Sequence, residues 1–277
     1  MSGAWALVAA LAAGATAAVF GALVVRSAPE ALVVTNRSGK RVPATLGWAL
    51  VGGAMIGLLA VRLVWSPAPA VASRTLLFTG MALLAVLAVG LIDDLGGHHA
   101  RGFGGHLGSL VRGRVTTGIL KLIVGVVVGV WLAVWVGGGA PREAAAAVLI
   151  VVSINLWNAL DVVPGRALKW AIPVLATVMA GGLDQPAGVV AGTGLGASAA
   201  LLPLDLRERG MLGDAGSNPL GLLTGLGLAL LLPTWGVVTA AAVALVLQVV
   251  AETVTISRLI DFVAPVRWFD RLGRRTM

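Results

Sequence analysis

Long apolar runs, broken by short polar stretches, recur from one end of this chain to the other. Each run is close to the roughly 20 residues that a helix needs to cross a hydrocarbon core. The pattern predicts helices at 4–25, 45–65, 74–92, 116–137, 143–161, 167–182, 186–203, 218–233 and 235–257. The first run has no basic residues ahead of it and is long enough to span, so it reads as a first helix rather than a cleaved leader. No internal repeat or domain boundary interrupts the series. The expectation is a single domain over 1–277: an all-α integral membrane bundle of about nine transmembrane helices, with Gly and Ala allowing close helix packing.

The polar stretches are of two kinds, and they alternate. Ser66 to Ser73, Gly137 to Pro141, Gly181 to Pro186 and Pro233 to Gly236 are short and nearly free of charge. The others are basic. They hold Arg26, Arg37, Lys40 and Arg41, then Arg101, Arg112 and Arg114, then Arg166 and Lys169, then Arg207 and Arg209, and finally a tail with Arg258, Arg267, Arg271, Arg274 and Arg275. Only Arg62, Arg74 and Arg142 lie near the other side. The positive-inside rule then sets the N-terminus outside and the C-terminus in the cytoplasm.

Composition agrees with this picture. With 58% hydrophobic and 12% charged residues, the chain lacks the polar surface of a water-soluble domain. The absence of cysteine excludes disulfides and thiolate metal sites. A net charge of +8 would suggest nucleic acid in a soluble protein, but here the cations sit in interhelical loops, and no nucleic-acid partner is expected. Abundant Ala, Gly, Val and Arg, with few Lys and no Tyr, are consistent with a high-GC bacterial genome.

Acids are scarce, so their placement is informative. Asp93, Asp94, Asp161, Asp205, Glu208 and Asp214 fall on the side predicted to be cytoplasmic, whereas Glu143 and Asp184 fall on the other. Asp93 and Asp94 end an apolar helix, where the macrodipole already disfavours negative charge; their mutual repulsion favours a bound cation or a raised pKa on one of them, unless they are simply solvated acids at a helix terminus. Asn155, Asn158 and Asp161 are spaced by three and share one broad stripe of a helix, offering hard oxygen ligands or hydrogen bonds, or else ordinary interhelical bonding. In Gly213-Asp214-Ala215-Gly216-Ser217-Asn218-Pro219, Ser217 or Asn218 is a candidate cap for the next helix, whose free amides would face phosphate beside an Asp214-bound Mg²⁺. The basic stretch Asn36 to Pro43 could meet phosphate or lipid headgroups, or could simply set topology. Lys121, inside an apolar helix near its cytoplasmic end, would pair with the acids or with phosphate.

In this order the motifs resemble those of the polyprenyl-phosphate N-acetylhexosamine-1-phosphate transferases, the family of the phospho-MurNAc-pentapeptide translocase and the bacterial GlcNAc-1-phosphate transferases. The resemblance covers almost the whole chain. Pro43 to Gly53 is similar to the Pro-x-x-Gly-Gly entry to the second helix, and Asp93-Asp94 to the acidic pair after the third. Lys121 is similar to the lysine of the fourth, and Asn155, Asn158 and Asp161 to the Asn-x-x-Asn-x-x-Asp of the fifth. Gly213 to Ser217 matches the Gly-Asp-x-Gly-Ser before the eighth helix, and Ala251 to Val254 a segment near the end of the ninth. The chain departs from the pattern in three places. Pro164 stands where a second Asp is usual, Pro265 to Arg275 replaces a His-rich loop, and the tenth helix has no counterpart.

The resemblance implies transfer of a sugar-1-phosphate from a UDP-sugar to polyprenyl phosphate at the cytoplasmic face, with UMP released, for cell-wall or envelope polysaccharide synthesis. It implies Mg²⁺, with Mn²⁺ as a substitute, held mainly by Asp214 with Asn158 or Asp94. It makes Asp93, Asp94 and Asp161 the candidates for positioning or deprotonating the lipid phosphate. Lys121, Asn155, Gly213, Ser217, Asn218, Arg267 and Arg271 are its candidates for substrate binding, and homodimers or envelope-synthesis proteins its candidate partners. The departures define a second reading, a relative that binds polyprenyl lipid or a partner protein without turnover. A transporter ranks last, because the helix interiors carry almost no charge.

Overall fold

The computed structural model describes residues 4–65, 69–96, 117–254 and 256–274. Arg101, Arg112, Arg114 and Arg275, expected on basic loops, lie outside the described residues, as do parts of the Ser66 to Ser73 connection. The described residues form eleven α-helices: α1 (Trp5–Arg26), α2 (Leu46–Val64), α3 (Ala70–Leu95), α4 (Thr117–Val136), α5 (Ala140–Leu160), α6 (Arg166–Gly181), α7 (Pro186–Leu206), α8 (Asp214–Leu231), α9 (Thr234–Thr253), α10 (Ile256–Phe262) and α11 (Ala264–Arg271). A helix occupies each of the nine predicted places. Seven of them (α1 to α5, α7 and α9) are long and apolar enough to cross a membrane. Their outward faces carry Leu11, Leu63, Val127 and Val246, each more than half exposed, as expected of surfaces facing lipid rather than water. The fold is that of an all-α membrane protein. Two predicted spans fall outside this group: α6 has 16 residues, and α8 begins with Asp214, Ser217 and Asn218.

The centre of the bundle is α8. It is buried at every residue from Ala215 to Gly227 and packs against α2, α3, α5, α6 and α7. Small residues make this possible. A Cβ on Gly90 of α3 would stand 2.5 Å from the Asp214 carbonyl, and Gly47 of α2 meets the Ala215–Gly216 backbone as closely. Any side chain at either position would force α8 away from its neighbours. Around it, α1 packs on α2 and α7, α5 on α4 and α9, and α6 on α7. Leu50, Leu83, Ile150, Leu168 and Leu220 fill the interior.

Between α1 and α2 the basic stretch folds into a small antiparallel hairpin, β1 (Val33–Thr35) with β2 (Arg41–Pro43), which apolar periodicity did not predict. Asn36 makes the turn: its Oδ1 accepts from the Ser38 and Lys40 amides at 3.1 and 2.9 Å, and Gly39 takes φ +81°. The tip is held by Glu208, whose Oε2 accepts from Asn36 Nδ2 and Ser38 Oγ at 2.9 and 2.7 Å. Arg41 pairs with Glu30, and Arg37 donates to Ser257. The stretch therefore makes protein contacts of its own.

Candidate active site

Four helices bring their polar ends together. Asp93 and Asp94 lie in the last turn of α3, Lys121 in the second turn of α4, Asn158 in the last turn of α5, and Asp214 at the start of α8. The Lys121 ammonium bridges two carboxylates, at 2.5 Å from Asp214 Oδ2 and 3.2 Å from Asp93 Oδ2. Asn158 Nδ2 donates to Asp214 Oδ1 at 2.5 Å and to Ser217 Oγ at 3.2 Å. Asp214 thus has both oxygens engaged from different helices. The group is partly open: the side chains of Asp93, Lys121 and Asp214 are 21, 16 and 24% exposed. Such a site is reachable by a ligand yet sheltered enough for charge to matter.

Asp94 has a different task. Its two oxygens accept the Asp214 and Ala215 amides at 2.9 and 3.0 Å, so it caps α8 from another helix. This corrects the expected capping. The helix starts at Asp214, four residues before the predicted 218, and neither Ser217 nor Asn218 caps it. Ser217 Oγ donates back to the Gly213 carbonyl at 2.9 Å, the positions after Asn218 expected to offer free amides lie inside the helix, and the Asp214 and Ala215 amides at its true start are bonded to a carboxylate. Sequence spacing finds caps supplied locally; this one arrives across 120 residues. Gly213 bends the chain into the helix at φ +64°, and a Cβ there would stand 2.8 Å from Asp94 Oδ2.

Asp161 follows α5 and accepts a hydrogen bond from the Gly213 backbone. Removal from water, together with the charges of Asp205, Asp214 and Asp94, holds its carboxyl well above the usual range. The proton on Asp161 therefore stabilises the fold fully below the ordinary carboxyl pKa of about 3.9, and that contribution is lost as pH rises towards the raised value. Asp161→Asn should remove this dependence. Its thermal midpoint in detergent with chelator should exceed that of the wild type at neutral pH and vary less between acidic and neutral pH; an identical pH slope in the two proteins would refute the assignment.

The other predicted residues divide. Asn155, one turn before Asn158 on α5, is half-buried and has no side-chain hydrogen bond among the described residues. Asn218 is fully buried, with neither amide atom partnered among the described residues. Arg267 and Arg271 are not brought to the acids. They bond to Asp261 within the tail, at 2.9 Å to its carbonyl and 3.2 Å to its carboxylate respectively.

A second cluster adjoins the first, and sequence reasoning treated most of its members as topological charge. The Arg166 guanidinium forks onto Asp270 with two bonds of 3.0 Å, and both residues are almost inaccessible. Arg274 pairs with Asp270 at 2.9 Å and donates to the Pro164 carbonyl at 3.0 Å. Lys169 donates to the carbonyls of Phe269, Asp270 and Leu272. Asp205, 2% exposed, accepts the Gly165 amide. The turn from Asp161 to Arg166 is thus held from below by the tail. The only signal available in the sequence was an acid, Asp270, inside an arginine-rich segment.

Among the described residues no three His, Cys, Asp or Glu side chains converge closely enough to cage a metal by themselves. The oxygens that converge (the Asp93 and Asp214 carboxylates and the Ser217 hydroxyl) are hard groups of the kind that Mg²⁺ accepts, while Asn158 turns its NH₂ toward Asp214 and Ser217. Mg²⁺ commonly takes one or two carboxylates and completes its shell with water and substrate phosphate. The residues fit an ion held in that shared way. Comparison with protein-family models and with curated protein sequences gives no match to this chain.

Proposed function

We propose that this chain is a phosphoglycosyl transferase that moves a sugar-1-phosphate from a UDP-sugar to polyprenyl phosphate and releases UMP. In this reading the protein crosses a bacterial inner membrane nine times, with its N-terminus outside and the acidic end of the bundle in the cytoplasm. The basic loops and the order of the motifs support that orientation. One observation carries the function: Asp93, Lys121, Asn158 and Asp214, from four helices far apart in the chain, meet in one half-open cluster. Such a constellation is more than helix association requires, since a single interhelical hydrogen bond suffices for that.

In the reaction an oxygen of the lipid phosphate attacks the sugar-bearing phosphorus of the donor. The new P–O bond forms as the bond from that phosphorus to the bridging oxygen breaks, and UMP leaves with the bridging oxygen. The acceptor is already ionised near neutral pH, so orientation matters more than proton removal. Asp214 and Asn158 would hold Mg²⁺, which when bound supplies charge neutralisation for the two approaching phosphates. Lys121 takes the donor diphosphate as a point charge. Asp93 and Asp161 flank the acceptor phosphate. Asp94 acts as a positioning residue, since it fixes the start of α8 and with it Asp214.

A second reading is favoured by one feature. Lys121 already satisfies both Asp93 and Asp214, and Asp94 is committed to the helix, as expected of a relative that binds polyprenyl lipid without turnover. The test is purified protein with polyprenyl phosphate, Mg²⁺ and a panel of UDP-sugars, scored for UMP. Release that stops on chelation and returns with Mg²⁺ supports the transferase. Silence across the panel while the lipid still binds supports the second reading.

A further inference from the structure

At the other end of the bundle α2 and α3 diverge around an apolar groove of about 390 Å³, within the roughly 300–1,000 Å³ range of small-molecule sites. Leu58 and Leu76 form its floor. Leu59, Leu77, Met81 and Leu84, each about half exposed, form walls that open outward from the bundle. Gly80 leaves the space between the helices: a Cβ there would already touch Met55 Cε at 3.4 Å. At the mouth stand Arg62, from the last turns of α2, and Arg74, from the first turns of α3. Both are exposed, and neither guanidinium has a hydrogen bond or ion pair among the described residues. Arg74 and Asp93 are separated by about 28 Å of helix at 1.5 Å per residue, so the groove is remote from the acidic cluster.

The contrast with Arg142, the third cation expected on this side, is informative. Arg142 is used by the fold: it donates to the carbonyls of Ala229 and Leu232 at 2.8 Å and closes the end of α8. Arg62 and Arg74 have no such structural use. Both line the apolar trough as cations without an ion pair among the described residues, on two helices that are long and apolar enough to cross a membrane. A ligand that matches must bring an anion and an apolar chain together, with the chain lying along the helices. We infer that the α2–α3 groove is a binding site for an anionic phospholipid of the leaflet opposite the acidic cluster, its phosphate at Arg62 and Arg74 and one acyl chain along Leu58, Leu76 and Met81. The methionines suit it, because their flexible thioethers adapt to a chain of variable shape.

The experiment uses the full, delipidated protein in detergent and follows lipid adducts by native mass spectrometry, with phosphatidylglycerol and phosphatidylcholine of identical acyl chains. The expected result is a preference for phosphatidylglycerol of at least about tenfold, since each basic residue near an anionic headgroup contributes about fivefold. The exposed pair Arg62→Gln/Arg74→Gln should erase the preference while leaving the fold intact. Gly80→Leu should weaken binding of both lipids by filling the trough, and inorganic phosphate should not displace the lipid. Equal binding of the two lipids overturns the inference, as does a preference that survives the double substitution. Displacement by inorganic phosphate would reduce the site to an ion contact, and a dimer lost in the double variant would assign the arginines to a second copy of the chain; either outcome also overturns it. UMP release in the Arg62→Gln/Arg74→Gln protein should equal that of the wild type, so this site and the transferase reading succeed or fail separately.

Discussion

Asp214→Asn should abolish UMP release while leaving the protein folded. The carboxylate accepts two hydrogen bonds from opposite sides, from Lys121 Nζ to Oδ2 and from Asn158 Nδ2 to Oδ1, each at 2.5 Å. An amide of the same shape has only one acceptor oxygen, so its NH₂ must face either the ammonium or the Asn158 amide, donor against donor. The variant also loses a hard anionic ligand where the substrate phosphates meet. Losing one electrostatic contact aimed at developing charge typically costs about 10²–10³-fold in turnover, and a loss of at least that size is expected here. Stability should change little. The Asp94 cap on the Asp214 and Ala215 amides persists, Lys121 keeps Asp93, and Asn158 keeps Ser217. The local losses are the Lys121–Asp214 ion pair, one of the two hydrogen bonds to this side chain, and an acid from the first turn of α8, the last worth about 0.3–1 kcal/mol. Turnover at the wild-type level would remove Asp214 from the reaction; a collapsed thermal midpoint would make its role structural.

Much of this site was legible because membrane segments tolerate so few charges that each one is informative. The nine apolar runs located the helices, and alternation of the loops sorted the acids to one side before any contact was known. What sequence reasoning misplaced has a common cause. The α8 cap, the bonding of the hairpin tip to Glu208, and the tail clamp are all tertiary hydrogen bonds between residues remote in the chain, for which no local spacing rule exists. Local rules therefore favoured Ser217 and Asn218 as caps, and read Arg267 and Arg271 as free to meet diphosphate, although both bond within the tail. Span number depends on hydropathy, in which α6 and α8 differ from the other seven. α8 opens with Asp214, Gly216, Ser217, Asn218 and Pro219 at the polar cluster, which lowers the hydropathy of the whole segment, although Leu220, Leu222, Leu223 and Leu226 are buried in its later turns.

Asp270→Ala should detach the C-terminal tail and loosen the turn that carries Asp161. The carboxylate stands between Arg166 and Arg274, with Lys169 donating to the adjacent carbonyls, so one anion holds together a cationic pocket that is almost closed to solvent. Burial alone would raise its pKa, but the hydrogen bonds and charges of Arg166 and Arg274 prevail and hold it below the ordinary value. A depressed carboxyl contributes stability that is present above its unfolded pKa of about 3.9 and lost only as pH falls through the native value. The clamp should therefore stay closed throughout the neutral range and release in strong acid. Alanine leaves the buried Arg166 guanidinium, and the half-buried one of Arg274, without their carboxylate, and breaking a buried pair in this way costs about 3–5 kcal/mol. The Trp170–Phe269 edge contact, with ring centroids 4.7 Å apart, is far weaker and should not hold the tail alone. Trypsin, which in the wild type should cut the tail slowly, should then cleave rapidly at Arg258, Arg267 and Arg271. Replacing both partners, Arg166→Met with Asp270→Leu, should recover part of the protection, because an apolar pair asks for no counter-charge. If Asp270→Ala is as resistant as the wild type, the tail is held by something other than this clamp. If the tail is released and UMP formation falls with it, then Arg274 on the Pro164 carbonyl and Arg166 at the head of α6 are the route by which a segment outside the acidic cluster fixes the position of Asp161.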